Sequence, residues 1–80
     1  MVQENSVKVG SRYRHFKGNE YIIIAIGRDS SSCEKIVVYQ GQYESCEFGD
    51  KPIWVRVLTD FVSEKVFEDG RRVRRFMLVE

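Results

Sequence analysis

The sequence predicts an all-β fold, a small SH3-like barrel of five to six short strands with one short helical or 3₁₀ turn. Short β-branched or aromatic segments recur along the 80 residues, each bounded by turn-forming residues. No ten-residue window places apolar residues at helical spacing. A short sheet must also protect its edges, and curling into a barrel is the usual solution. A small open α+β sheet is the alternative.

The first half of the chain predicts three strands. Residues 12–16 alternate polar and aromatic side chains and end in a turn at residues 17–19. Residues 21–26 form a continuous apolar run, typical of a strand that is covered on both faces, and Gly27 is expected at a bulge or bend. After a polar turn, residues 35–40 form the third strand, which pairs with the second as a hairpin.

The fourth predicted strand, residues 53–57, follows the longest predicted loop, residues 41–51. Alternation assigns its three aliphatic residues to the core and points Trp54 and Arg56 outward together. Three explanations of this pair are open. The loop folds over Trp54, or the pair is a binding surface, since Trp and Arg are favoured interface anchors, or a bulge inverts the parity.

The last third predicts one turn and one hairpin. Leu58 and Phe61 are three residues apart, the spacing of a single helical turn. Asp69-Gly70 is a strong hairpin signal between apolar segments at residues 66–67 and 73–79. The expected core contains Ile23, Ile24, Ile26, Val38, Val55, Phe61 and Phe76. The chain is divided into an N-terminal extension, residues 1–9, and a single barrel domain, residues 10–80.

Composition and charge exclude several classes. Thirteen basic and twelve acidic residues leave a net charge of +1, which argues against a nonspecific nucleic-acid or membrane binder. The N-terminus has no apolar signal segment and no apolar run reaches membrane length, so a cytoplasmic protein without a membrane partner is predicted. Cys33, Cys46 and His15 fall short of the four ligands of structural zinc. Neither a metal nor a cofactor is expected, and both cysteines are interpreted as incidental thiols.

Four motifs occur in a distinctive order: YRHFKG at residues 13–18, VVY at 37–39, WVR at 54–56, and DG at 69–70 followed by RF at 75–76. Together they resemble the small bacterial family catalogued as domain of unknown function sixteen-fifty-three. The resemblance spans roughly residues 10–78 and implies an SH3-type barrel, but no activity. The chain departs from the family pattern at positions 57 and 74, where members tend to carry proline.

The candidate ligand-binding residues lie on strands one, three and four. They are Tyr13, His15, Tyr39, Trp54 and Arg56. If these strands converge, the patch offers flat aromatic area, one guanidinium fork and one base of near-neutral pKa, which suits a ligand carrying a carboxylate or phosphate. Nothing in the sequence brings a nucleophile beside His15, so no catalytic residue is assigned and an enzyme is the least supported class.

Two functions are therefore weighed. The first is a noncatalytic binding module that recognises a peptide, a partner protein or a small anionic ligand. The alternative is nucleic-acid or nucleotide binding through the arginines at 71–75 and the strand-one aromatics. Its basic residues are Arg12, Arg14, Lys17, Arg71, Arg72, Arg74 and Arg75. A solvated, ion-paired face is the competing explanation of that cluster. The oligomeric state is open between a monomer and a weak homodimer.

Overall fold

The computed structural model describes residues 7–79 of the chain. These residues form nine strands and one short helix: β1 (Arg12–His15), β2 (Glu20–Arg28), β3 (Lys35–Gly41), β4 (Glu44–Ser45), β5 (Gly49–Asp50), β6 (Ile53–Val57), α1 (Leu58–Phe61), β7 (Glu64–Val66), β8 (Arg72–Arg74) and β9 (Phe76–Val79). Five of the strands make one antiparallel sheet in the order β6-β3-β2-β1-β9. The pairs β4–β5 and β7–β8 form two further small sheets.

The five-stranded sheet curls so strongly that its two outermost strands meet through their side chains. In a flat sheet, β6 and β9 would lie about 19 Å apart, four strand spacings. The Arg56 Cζ atom of β6 nevertheless lies 5.6 Å from the centre of the Phe76 ring of β9. The Tyr39 ring of β3 lies 5.4 Å from the same ring. The predicted all-β, barrel-like fold is confirmed.

The core fills the inside of this curl and is largely aromatic. Phe61 of α1 stacks on Phe76 with ring centres 4.1 Å apart, and the Tyr13 ring meets Phe61 edge-on at 5.3 Å. The buried apolar residues are Val7, Tyr13, Tyr21, Ile23, Val37, Tyr39, Leu58, Phe61 and Phe76. The short helix α1, predicted from its two apolar residues, therefore closes the open side of the sheet.

The prediction of which β6 side chains face the core is wrong. Trp54 pairs with Tyr39, which is buried, and opposite residues of an antiparallel pair share one face of the sheet. Trp54 and Arg56 therefore point inward. Val55 is 60% exposed and pairs with the half-buried Val38 on the outer face. Both residues were predicted in the core, and neither belongs to it. The outward set is aliphatic, and the inward set consists of Trp54, which packs half-buried against the core, and Arg56.

A bulge in β2 changes a second part of the predicted core. The register against β3 shifts between Ile23 and Ala25, whereas the sequence placed a bulge or bend at Gly27. Ile23 is fully buried, but Ile24 and Ile26 are each 38% exposed. These two residues are not core residues, and the apolar run at residues 21–26 is not covered on both faces by the described part of the chain.

Several local predictions are confirmed by backbone geometry. Gly70 has φ +90° in the β7–β8 hairpin, and Gly18 has φ +111° in the turn between β1 and β2. The predicted loop at residues 41–51 contains the short β4–β5 hairpin. Of the extension predicted over residues 1–9, residues 1–6 lie outside the described part, and Val7 packs in the core.

Within residues 7–79, no helix has the length and apolarity needed to cross a membrane.

Candidate functional site

All five predicted ligand-binding residues lie on the inner face of the sheet. His15 pairs directly with Phe76, and their rings meet edge-on at 4.9 Å. Tyr13 and Tyr39 are only 7% and 5% exposed, so they form the floor of the inner face and offer little surface of their own. His15 and Arg56 both contact the Phe76 ring, so strands one, three and four converge around it.

Arg56 is held in place from two sides. Its Nε–H donates a hydrogen bond to the Tyr39 hydroxyl at 3.2 Å, and its Nη1 pairs with a carboxylate oxygen of Asp60 at the start of α1. Its side chain is 30% exposed. Burial lowers the pKa of Arg56, but the hydrogen bonds with Tyr39 and Asp60 outweigh it and raise the pKa, so the guanidinium stays charged.

A second guanidinium approaches the same carboxylate. The Arg75 Nε–H donates to the Ser63 hydroxyl at 3.2 Å and lies 4.0 Å from the other carboxylate oxygen of Asp60. The Arg75 side chain is 23% exposed. We call His15, Arg56, Asp60 and Arg75 the Arg56–Arg75 site. It carries two positive charges and one negative charge, and a half-buried net positive charge attracts an anion.

Donors in this site are available for a ligand. Within residues 7–79, the Nη2 group of Arg56 and both Nη groups of Arg75 have no hydrogen-bond partner. A guanidinium presents five N–H donors in a planar fork that matches carboxylate or phosphate oxygens. The arrangement can therefore hold an anionic group in addition to Asp60.

His15 is a neutral donor in this environment. Its Nδ1 accepts a hydrogen bond from the Lys17 backbone N–H at 3.1 Å, which places the proton of the neutral ring on Nε2. Burial lowers the pKa of His15, and the positive charges of Arg56, Lys17 and Arg75 lower it further. The charged imidazolium form of His15 is thus disfavoured in the free protein.

This depressed pKa predicts an acid-sensitive stability. The unfolded chain binds a proton at the ordinary pKa of 6.5, and folded His15 binds it only at lower pH. Stability linked to His15 is therefore fully present above pH 6.5 and is lost as pH falls toward the folded pKa. Urea unfolding from pH 8 to pH 5 should show the difference in unfolding free energy between wild type and His15→Gln shrinking with acidity. A difference that stays constant over this range contradicts the prediction.

Trp54 is covered by the segment that follows β3. Its Nε1–H donates to the Tyr43 hydroxyl at 3.0 Å, and the Tyr43 hydroxyl lies 3.3 Å from that of Tyr21. The Phe48 ring packs edge-on against Trp54 at 5.2 Å. Of the three explanations considered, cover by residues 41–51 is observed. The side chains of β6 are also inverted, as the third explanation had it, but its pairing with β3 contains no bulge. Trp54 is half-buried and borders the core.

Trp54 should accordingly contribute to stability. Trp54→Ala is expected to lower the free energy of unfolding by about 2–3 kcal/mol, the lower part of the range for large core truncations, because Trp54 is only partly buried. Trp54→Phe keeps most of the packing but loses the hydrogen bond to Tyr43. We expect it to lower the free energy of unfolding by about 1 kcal/mol. Urea denaturation followed by circular dichroism measures both. Wild-type stability of the alanine variant would contradict the inward orientation.

The basic residues of the nucleic-acid alternative are largely ion-paired. Arg12 and Arg14 contact Glu20 at 2.8 and 2.6 Å, and hydrogen bonds from Arg14 and Arg12 lower the pKa of Glu20. Arg71 pairs with its neighbour Asp69 at 2.8 Å, and Arg72 lies 3.4 Å from the nearest carboxylate oxygen of Glu64. The 71–75 cluster is therefore mostly a solvated, paired face.

Asp60 is the member of the Arg56–Arg75 site that sequence reasoning missed. It follows Arg56 by four residues across the junction of a strand and a one-turn helix, where neither strand nor helix periodicity applies. Arg75 was assigned to the nucleic-acid alternative, and Phe76 only to the core. A neighbouring groove of about 390 Å³ lies beside β8 and β9. It shares His15 with this site and is bordered by Phe16 and Met77 among others.

Comparison with known proteins identifies the family. A family model described as a protein of unknown function (DUF1653) matches residues 11–78. The chain belongs to the DUF1653 family. A crystal structure of a DUF1653 protein from Bordetella bronchiseptica aligns with a TM-score of 0.77 at 26% identity, covering 96% of this chain and 92% of that one. No curated protein matches the sequence. The resemblance seen in the sequence motifs is confirmed.

DUF1653 membership assigns no activity, so function must be argued from the site. His15, Tyr39 and Arg56 belong to three of the motifs that carried the resemblance, and Arg75 to the fourth. In this DUF1653 protein those motifs, separated by up to sixty residues, meet around the Phe76 ring. Three of the motifs supply members of the Arg56–Arg75 site, and the motif at residues 37–39 supplies Tyr39, whose hydroxyl accepts a hydrogen bond from Arg56.

Proposed function

We propose that this DUF1653 protein is a noncatalytic binding module that holds a small anionic group, a phosphate or a carboxylate, at the Arg56–Arg75 site. One observation carries the proposal. Two half-buried guanidinium groups share the single carboxylate of Asp60, and their Nη donors have no further partner within residues 7–79.

Binding would use charge-assisted hydrogen bonds. A planar guanidinium contacts two ligand oxygens at once, and partial burial strengthens the attraction relative to bulk water. The Nε2–H of neutral His15 supplies a further donor beside the two arginines. Asp60 holds the guanidinium groups in position and repels the ligand, so affinity depends on the balance between these two effects.

A catalytic role for His15 has no support in the geometry. Within the described residues, His15 hydrogen-bonds to the Lys17 backbone, and neither a hydroxyl nor a thiol bonds to its ring. Nucleophilic catalysis requires a nucleophile within hydrogen-bond reach of the base. The proposal accordingly gives His15 a binding role.

A titration with inorganic phosphate and with acetate, at constant ionic strength, tests the proposal. Backbone amide NMR signals around His15, Arg56 and Phe76 should shift and saturate. The pKa of the His15 ring should rise, because a bound anion offsets the positive charges that depress it. Unchanged spectra, or shifts confined to residues 71–72, would contradict the proposal.

Nucleic-acid binding through residues 71–75 is the weaker candidate, because Arg71 and Arg72 already pair with acidic residues. The two functions differ in salt dependence. Each phosphate contacted on a single strand adds about 0.7 to the slope of log affinity against log salt. A single anion at the Arg56–Arg75 site therefore gives a shallow slope with an oligonucleotide, whereas a slope several times larger would favour the alternative.

A further inference from the structure

The outer edge of β6 is an open edge of the sheet. Within the described residues, β6 pairs only with β3. The hydrogen bond from the Gly41 N–H to the Pro52 carbonyl shows which residues of β6 bond to β3. In an antiparallel strand, successive residues direct their N–H and C=O groups to opposite sides. The even-numbered residues of β6 therefore bond to β3. Ile53 and Val55 direct both backbone groups to the open edge. Val57 directs only its N–H there, because its carbonyl, as the N-cap of α1, accepts the first helical hydrogen bond.

This edge lacks the features that usually prevent strand addition. Natural edge strands carry charges, prolines or bulges. The only charged residue of β6, Arg56, points inward to Asp60. Pro52 precedes the strand, and its nitrogen lies on the β3 side, so it leaves the open edge intact. On the outer face, Ile53 and Val55 are 58% and 60% exposed.

The sequence of β6 is complementary to itself in one antiparallel register. With a two-fold axis at Val55, Val55 of one copy faces Val55 of the other, and Ile53 faces Val57. All outer-face pairs are then aliphatic, and cross-strand apolar pairs stabilise a sheet. Trp54 faces Arg56 in the same register, so no like charges are opposed.

The backbone groups match in the same register. Because Ile53 and Val55 direct both N–H and C=O outward and Val57 directs its N–H outward, the Val55–Val55 pair contributes two hydrogen bonds across the axis and each Ile53–Val57 pair contributes one. A shift of one residue would place inward-bonded groups of one copy opposite the outward groups of the other. A shift of two residues keeps the backbone match, but it faces Val57 with Lys51 when the axis lies at Trp54 and opposes two arginines when the axis lies at Arg56. Backbone and side chains together thus favour the alignment at Val55.

From this agreement we infer that two copies of the chain associate through β6, making one continuous ten-stranded sheet across an isologous two-fold axis. The inference rests on the backbone and the outer-face side chains of β6, and it does not depend on the proposed function.

Sedimentation velocity from micromolar to millimolar protein tests the inference. The 9.4 kDa monomer should convert to a species of twice that mass as concentration rises. Val55→Lys should abolish this species, because two ammonium groups would face each other at the axis. Met77→Lys is the matched control, since Met77 is 57% exposed on β9, at the opposite edge of the same sheet. It should dimerise as wild type does.

Amide hydrogen exchange gives a second test that needs no variant. At high concentration the amides of Ile53, Val55 and Val57 should become protected, while those of Trp54 and Arg56 are protected at every concentration by β3. A monomer at millimolar concentration, edge amides that exchange freely throughout, or a dimer that survives Val55→Lys would each overturn the inference.

Discussion

Phe61→Ala is expected to lower the free energy of unfolding by about 3–5 kcal/mol. Phe61 is 1% exposed and is the link between the helical turn and the sheet. Its ring stacks on Phe76 at 4.1 Å and meets Tyr13 and Tyr39 edge-on at 5.3 and 5.4 Å. Small domains are stable by only about 5–15 kcal/mol in total, so this change removes a large share of the stability. Urea denaturation followed by circular dichroism measures it.

Phe48→Ala is the matched control. Phe48 is the same residue type but is 57% exposed, and its ring packs against Trp54 outside the buried core. A loss of about 1 kcal/mol or less is expected, as for most surface changes. Similar losses for both variants would show that the aromatic stack of Phe61 and Phe76 does not dominate the stability of the fold.

Arg56→Met is expected to weaken binding of inorganic phosphate by roughly 10- to 100-fold. A hydrogen bond to a charged group contributes about 1.5–3 kcal/mol, and about 1.4 kcal/mol corresponds to a factor of ten in affinity. Methionine keeps much of the aliphatic volume beside Phe76, so the fold should persist. Isothermal titration calorimetry measures the affinity, and Arg72→Met, which changes a 67% exposed arginine, should bind as wild type does.

Asp60→Asn is expected to change the phosphate affinity in the opposite direction. It removes the negative charge that competes with the ligand and keeps a side chain that can accept a hydrogen bond from Arg56. Phosphate should therefore bind more tightly to this variant than to wild type. If Arg56→Met and Arg72→Met weakened binding equally, or if Asp60→Asn weakened it, the anion would be held elsewhere.

The strands, the helical turn and the hairpin at Gly70 were predictable because their signals are local. β-branched segments, turn residues and the Asp69-Gly70 dipeptide act within a few positions of the chain. Which side chains of β6 face the core was not predictable. One alternating set is aliphatic and the other consists of Trp54 and Arg56, and which set faces the core depends on pairing with Tyr39, about fifteen residues away.

Two members of the candidate site, His15 and Arg56, were predictable, but Asp60, Arg75 and the arrangement of the site were not. Residue chemistry singled out His15, Tyr39 and Arg56, and the curl of the sheet, invisible in sequence, brings them together around Phe76. The same curl buries Tyr39 and adds Asp60 and Arg75 from α1 and the start of β9. The net charge of +1 gives no sign of this local positive charge, because acidic residues elsewhere in the chain balance the total.

Binding of an anion by Arg56 and Arg75 is tested most directly by nitrogen–proton correlation spectra of the arginine side-chain Nε–H groups during a phosphate titration. The signals of Arg56 and Arg75 should shift together with one dissociation constant, and the signals of Arg12, Arg71 and Arg72 should stay in place. Shifts confined to these exposed arginines, or no shift at saturating phosphate, would contradict the assignment of the site.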